Sequence, residues 1–211
     1  VLRDLFGIKQ FAVVQAETAF QGSLELVRTG KEFDCRYSTF SSGQKSREDY
    51  LLALQSCLAK AVRPTLVHVN AYDDLPSADE VQRLGLHGIM AKEKLIALQS
   101  EDRTGKLIAD FKQGLQPILF STKCSRGVDF PGTQCNSIIF TKYPNPNVND
   151  TFWKVLQKTH PSFYWEFYKD KAWREFLQRM YRALRTPADH VFVLSPDRRV
   201  LDGVRQLQQK L

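Results

Sequence analysis

The chain has 211 residues, with 30 Lys and Arg against 23 Asp and Glu, a net charge of +7 and a pI near 9.3. That length can bury a sizeable core as one domain, and no apolar run approaches the roughly 20 residues needed for a helical membrane span. The basic balance favours a polyanionic partner without naming one. It is also uneven: from Lys142 to Arg199 there are eleven Lys and Arg against six Asp and Glu. The chain opens on Val1, and VLRDLFGIKQ has neither the basic flank nor the apolar core of a leader, so we read a piece of a longer protein.

In chain order, apolar runs predict a strand at Phe11–Gln15, a helix over Arg47–Val62 and strands at Thr65–Val69 and Leu95–Leu98. A helix over Thr104–Gln113 follows, then strands at Pro117–Ser121, Ser137–Phe140 and His190–Leu194. Alternating strands and helices predict an α/β fold, a parallel sheet covered by helices, in a single domain spanning residues 1–211. Before the last strand lies a helical insertion at about 148–176. Its many aromatics, among them Trp153, Tyr164, Trp165 and Tyr168, read mainly as helix packing, with one or two available for base stacking. His68, alternating with Val67 and Val69, reads as a core or rim histidine with its hydrogen bonds satisfied, rather than a catalytic one.

Two stretches superficially suggest a phosphate loop. Around Lys31 and Lys106, however, the leading glycine of GxxxxGK[ST] is Glu25 or Ser100, and the residue after the lysine is Glu32 or Leu107. Neither stretch is followed by an acidic box, so this chain supplies at most part of an ATP site. Cys35, Cys57, Cys124 and Cys135 form no CxxC pair and have no His at ligand spacing, so no metal site is expected and the thiols read as reduced and inert.

The richest segment is WREFLQRMYRALRTPADHVFVLSPDRR, from Trp173 to Arg199. If helical, Gln178, Arg182 and Arg185 fall within an arc of about 60° on one face, ended by Thr186-Pro187. The second segment, PILFSTKCSRGVDFPG, runs from a strand into Gly127-Val128-Asp129, so Ser121 to Asp129 are expected beyond the carboxyl end of that strand.

Gln178, Arg182 and Arg185 resemble helicase motif VI, usually QxxGRxxR, and SRGVDF at 125–130 resembles motif V. LVHVNAY at 66–72 is similar to motif IV of the XPD/DinG group of superfamily 2 DNA helicases, and YPNPN at 143–147 to its proline-rich step. The resemblance covers about Phe33 to Arg199. Two positions depart from it: Tyr181 stands where motif VI has glycine, and Arg126 where the group often has glutamate. The resemblance implies the second, C-terminal RecA-like motor domain of an ATP-dependent DNA helicase, a hydrolase of DNA repair type, cytoplasmic or nuclear. Arg182 and Arg185 would be arginine fingers and Gln178 would lie near the γ-phosphate; Gly127 and Asp129 would bind nucleotide. Asn70, Tyr72, Ser121, Thr122 and Lys123 would contact single-stranded DNA. ATP and Mg²⁺ would be held mainly by an N-terminal RecA-like domain of the same protein, and an iron–sulfur cluster, if the parent has one, would lie outside this chain.

Two other readings stand beside this one. The first is a non-catalytic nucleic-acid-binding module derived from the same fold, separated by whether GxxxxGK[ST] and DExH precede Val1. The second is another α/β enzyme whose basic helix binds a phosphorylated metabolite, disfavoured by the lack of a Gly-rich phosphate loop and of a nucleophile–base pair.

Overall fold

The computed structural model describes residues 3, 6–12, 22–124 and 127–209. Five strands form one parallel sheet: β1 (Ser23–Leu26), β2 (Thr65–His68), β3 (Ile118–Ser121), β4 (Ser137–Phe140) and β5 (His190–Leu194), in the order β1-β5-β4-β2-β3. Every residue of β2 and β4 is buried, as strands covered on both faces require, while edge strand β1 alternates exposed Ser23 and Glu25 with inward Leu24 and Leu26. All eight helices among the described residues lie outside the strands: α1 (Tyr37–Ser41), α2 (Arg47–Lys60), α3 (Ala78–Arg83), α4 (Lys92–Glu101), α5 (Lys106–Lys112), α6 (Thr151–Thr159), α7 (Pro161–Met180) and α8 (Arg198–Gln208).

Side-chain alternation splits the core into two layers. Leu66, Leu119, Ile138 and Val193 face α5, α7 and α8 through Phe111, Phe176, Met180 and Val204. Val67, Phe120, Ile139 and Leu194 face the opposite layer, built on Leu51, Leu54 and Leu58 of α2 and Leu95 of α4. Helix α2 starts where Ser46 and Asp49 close a capping box: Asp49 N donates to Ser46 Oγ at 3.0 Å, and Ser46 N to Asp49 Oδ2 at 2.8 Å.

Four of the strands expected from sequence, β2 to β5, are present, and the α/β architecture is the expected one. Leu95–Leu98 is not a strand but the middle of α4. Only Leu95 and Gln99, one helical turn apart, are buried there, and Ile96 is exposed. A four-residue apolar run carries no period of its own, and the helix-forming Lys-Glu-Lys before it decides the outcome. Phe11 and Ala12 have no regular structure, and the rest of the expected strand at Phe11–Gln15 lies outside the described residues. The insertion aromatics Trp153 and Tyr164 pack α6 against α7 in a cluster with Leu156, separate from the two sheet layers.

Outside the sheet, Arg47 grips Glu80 with two bonds, Nε to Oε1 at 2.6 Å and Nη2 to Oε2 at 3.0 Å, and Glu80 also accepts from Ser77 N at the start of α3. The Arg47 bond, above all, lowers the Glu80 pKa from its ordinary 4.5 to about 2. Because the folded value lies below the unfolded one, this contribution to stability is full above about pH 4.5 and is lost as pH falls toward 2. Thermal melts across that window should show Glu80→Gln less stable than the parent at neutral pH and converging with it near pH 2. A gap that stays constant with pH would assign the loss to packing instead.

Candidate functional site

Two groups of the residues singled out above are assembled in separate places. The first begins where α7 ends. The helix stops at Met180, with Tyr181 as its cap (φ −69°) donating its N–H to Leu177 O at 2.9 Å, so Arg182 and Arg185 are not on a helical face with Gln178. The helix ends five residues earlier than Arg185 because other groups claim the backbone that follows. Phe130 N donates to Arg182 O at 2.7 Å, and the buried carboxylate of Asp189 accepts from Arg185 N and Thr186 N, both at 2.6 Å. The negative φ at Tyr181 also shows why a side chain is tolerated where the motif has glycine.

The two arginines nevertheless converge. Arg182 Nη1 donates to Asp129 Oδ1 at 3.0 Å and to Val128 O at 3.2 Å, and Arg185 Nη2 donates to the same Asp129 oxygen. Partial burial pushes the Asp129 carboxyl up, but the Arg185 and Arg182 guanidiniums together outweigh it and lower its pKa. Gly127 is exposed, with φ at +73° where a side chain would be strained. Gln178 is exposed on the last turn of α7, and its neighbour Arg179 is the buried one, with Nη1 lacking a hydrogen-bond partner among the described residues.

Ser121 to Asp129 do not all stay at the carboxyl edge of the sheet. Gly132 N reaches Asp189 Oδ1 at 2.8 Å, so by residue 132 the chain has travelled to the residue preceding β5. Asp189 thereby ties the arginine loop to the Asp129 segment. Its backbone oxygen accepts from Ser23 N at 2.8 Å, and a Cβ on Gly22 would come within 2.6 Å of that oxygen, so only glycine fits there. Ser125 and Arg126 of the SRGVDF stretch lie outside the described residues.

The second group sits at the carboxyl ends of β2, β3 and β4. Tyr72 OH and Thr122 Oγ1 both donate to Gln99 Oε1, at 3.0 and 2.8 Å, and Lys123 Nζ donates to Gln99 O at 3.3 Å. Ser121 Oγ accepts from Lys123 N and Cys124 N, which fixes the turn after β3. Asn70 donates its N–H to Thr141 Oγ1 at 3.1 Å and its Nδ2 to Tyr143 O at 3.3 Å, linking the end of β2 to the end of β4. Gln99 is the hub that sequence reading misses: it stands one residue beyond the expected strand at Leu95–Leu98, and only the helix α4 turns it inward.

His68, at the end of β2, is buried as expected but is not satisfied: its Nε2 has no hydrogen-bond partner among the described residues, and burial, reinforced by the Arg179 cation, lowers its pKa well below the ordinary value. All four cysteines are buried and unpaired with one another, and burial pushes the Cys135 thiol up to about 12. Among the described residues no group of three or more His, Cys, Asp or Glu side chains is placed to hold a metal ion, and no helix is long and apolar enough to cross a membrane.

No individual curated protein matches this chain. A family model does: the model described as helicase C-terminal domain matches residues 54–211, from within α2 through β5 and α8. With a RecA-like parallel sheet and that match over most of its length, the chain belongs to the helicase C-terminal domain family.

Proposed function

We propose that this helicase domain is the second motor domain of an ATP-dependent DNA helicase of the XPD/DinG type. In this reading Arg182 and Arg185 reach the γ-phosphate of ATP held by an N-terminal RecA-like domain, and the carboxyl edge of β2 and β3 grips single-stranded DNA. The observation that carries the reading is the meeting of two guanidinium forks on one carboxylate oxygen of Asp129. Forks that can share one anionic oxygen have the placement needed to share a phosphoryl oxygen, where charge builds as the terminal phosphate is transferred. Asp129 is engaged by both arginines, so the proposal places Mg²⁺ and most of the ATP contacts on the partner domain. At the edge, the Lys123 ammonium keeps donors beyond its bond to Gln99 O, and the hydroxyls of Thr122 and Tyr72 can turn from Gln99 Oε1 to a phosphate, a contact that reads no sequence.

The test pairs two measurements on the 211-residue chain. Phosphate release from ATP should stay at background with or without DNA. Anisotropy of a labelled single strand should show binding that weakens as salt rises, and Lys123→Glu should weaken it further. Robust turnover by the chain alone would overturn the split-site reading. Salt-independent or strongly sequence-specific binding would overturn the grip.

A further inference from the structure

Beyond Tyr143 the same edge of the sheet opens into a groove of about 600 Å³ that neither group above uses. Its floor is made where Gly203 of α8 lets Phe176 and Tyr143 come close: a Cβ there would stand 3.3 Å from Phe176 and 3.4 Å from Tyr143, whose rings stack at 5.6 Å. One wall is the exposed side of α7, with Trp165, Tyr168 and Lys169, and Arg36 and Arg199 also line it. Tyr168 is pinned by its hydroxyl, which donates to Pro146 O at 3.0 Å, and Trp165 rests against Tyr168 and Tyr164 edge to face. Trp165 is nevertheless 59% exposed, an unusual state for the largest apolar side chain when its neighbours Tyr164 and Trp153 are buried.

The chemistry of the lining is mixed in one particular way. Arg199 is committed to Asp197, and Asp202, the groove's carboxylate, is paired with Arg205 at 2.9 Å. The exposed cations are Lys169 and Arg36, the latter also 3.4 Å from the half-exposed Asp34 carboxylate through its Nε, beside an open indole and the side-chain amides of Asn145 and Gln206. A flat ring to stack on, amides for a base edge and cations for a phosphate fit one nucleotide better than an apolar or acidic peptide segment. The groove also continues the grip: Asn70 Nδ2 already bonds Tyr143 O, and β3 to β5 is three strand spacings, about 15 Å.

We infer that this groove takes one nucleotide of a single strand, its base against Trp165 and its phosphate at Arg36 and Lys169. This rests on the single-strand grip proposed above and extends it along the β4 and β5 end of the edge. The chain carries its own probe, because Trp153 is buried and Trp173 partly so, leaving Trp165 as the open indole. Titration with a twelve-residue oligothymidylate should quench tryptophan fluorescence, and Trp165→Phe should remove most of that quench. Trp165→Ala should weaken strand binding about 10-fold, and Lys169→Glu should weaken it while lowering the salt dependence. If Trp165→Ala binds like the parent while Lys123→Glu does not, the groove assignment fails and the grip stands. If the parent binds no strand at all, both fail. Thymidine monophosphate quenching as tightly as the oligonucleotide would make this a free-nucleotide site and overturn the strand assignment.

Discussion

Replacing Arg182 or Arg185 by lysine, in a protein carrying both motor domains, is expected to lower nucleic-acid-stimulated kcat by about 10³ to 10⁵. Lysine preserves the charge and loses the planar fork, so a fall of that size reports directed contact with the transferring phosphoryl group rather than general attraction. The two positions are not equivalent in the free domain. The Arg182 side chain is 13% exposed and also holds Val128 O, whereas that of Arg185 is 39% exposed and bonds only Asp129 among the contacts described. Arg182→Lys should therefore cost some stability as well, and Arg185→Lys close to none. Nucleotide affinity should fall far less than turnover in both, because the proposed reading puts most ground-state contacts on the partner domain. Steady-state turnover, nucleotide Kd and melting temperature measured together decide the matter. Near-normal turnover in both variants would remove the arginine-finger assignment, and a collapse of melting temperature in Arg185→Lys would make that arginine structural.

The largest loss of stability is expected from Asp197→Ala. This carboxylate is fully buried beyond the end of β5 and accepts from Tyr143 N at 2.9 Å, Cys35 N at 3.4 Å, Arg199 N at 3.2 Å and, through both oxygens, the Arg199 guanidinium. It thus joins the segments leaving β1, β4 and β5. Its removal leaves a largely buried guanidinium with only Asp34, 3.5 Å away, and strands several N–H groups at once, a loss of about 3 to 5 kcal/mol. For a chain of this size that is about 10 °C in melting temperature. Asp202→Ala, on the exposed side of α8, is the control and should shift it by no more than a degree or two. Equal melting temperatures for the two variants would show that Arg199 and the freed N–H groups find other partners.

How much of this was legible in the sequence depends on how far each cue reaches. Strands β2 to β5 were visible because each is a short apolar or β-branched run between polar turns, and α2 because its buried residues repeat every three to four positions. Strand β1 was not: SLEL is four residues of weak alternation, and what makes it a strand is the ladder offered by β5. In the candidate site, residue types and their chain order were enough to single out Arg182, Arg185 and Asp129, but the geometry joining them was not. A helical reading through Arg185 takes local spacing as decisive. The chain leaves the helix at Met180 because Phe130 and Asp189, distant in sequence, bond the backbone that follows. Gln99 shows the same limit, since an amide at the end of an apolar run signals nothing until the segments after β2 and β3 place Tyr72 and Thr122 beside it.

The sharing of Asp129 has a consequence for selectivity. Two guanidiniums leaning on one carboxylate form a group with a single net positive charge, so the field they project into solvent is muted and fades within about 10 Å at ordinary salt. In the proposed function, approaching polyanions would therefore be steered by exposed cations elsewhere on the domain, and the arginine pair would take little part in that capture. Only an anion delivered to within hydrogen-bonding reach, and oriented well enough to displace a carboxylate already in place, can recruit it. In the proposed role the pair would thereby reject loosely held anions by competition at short range.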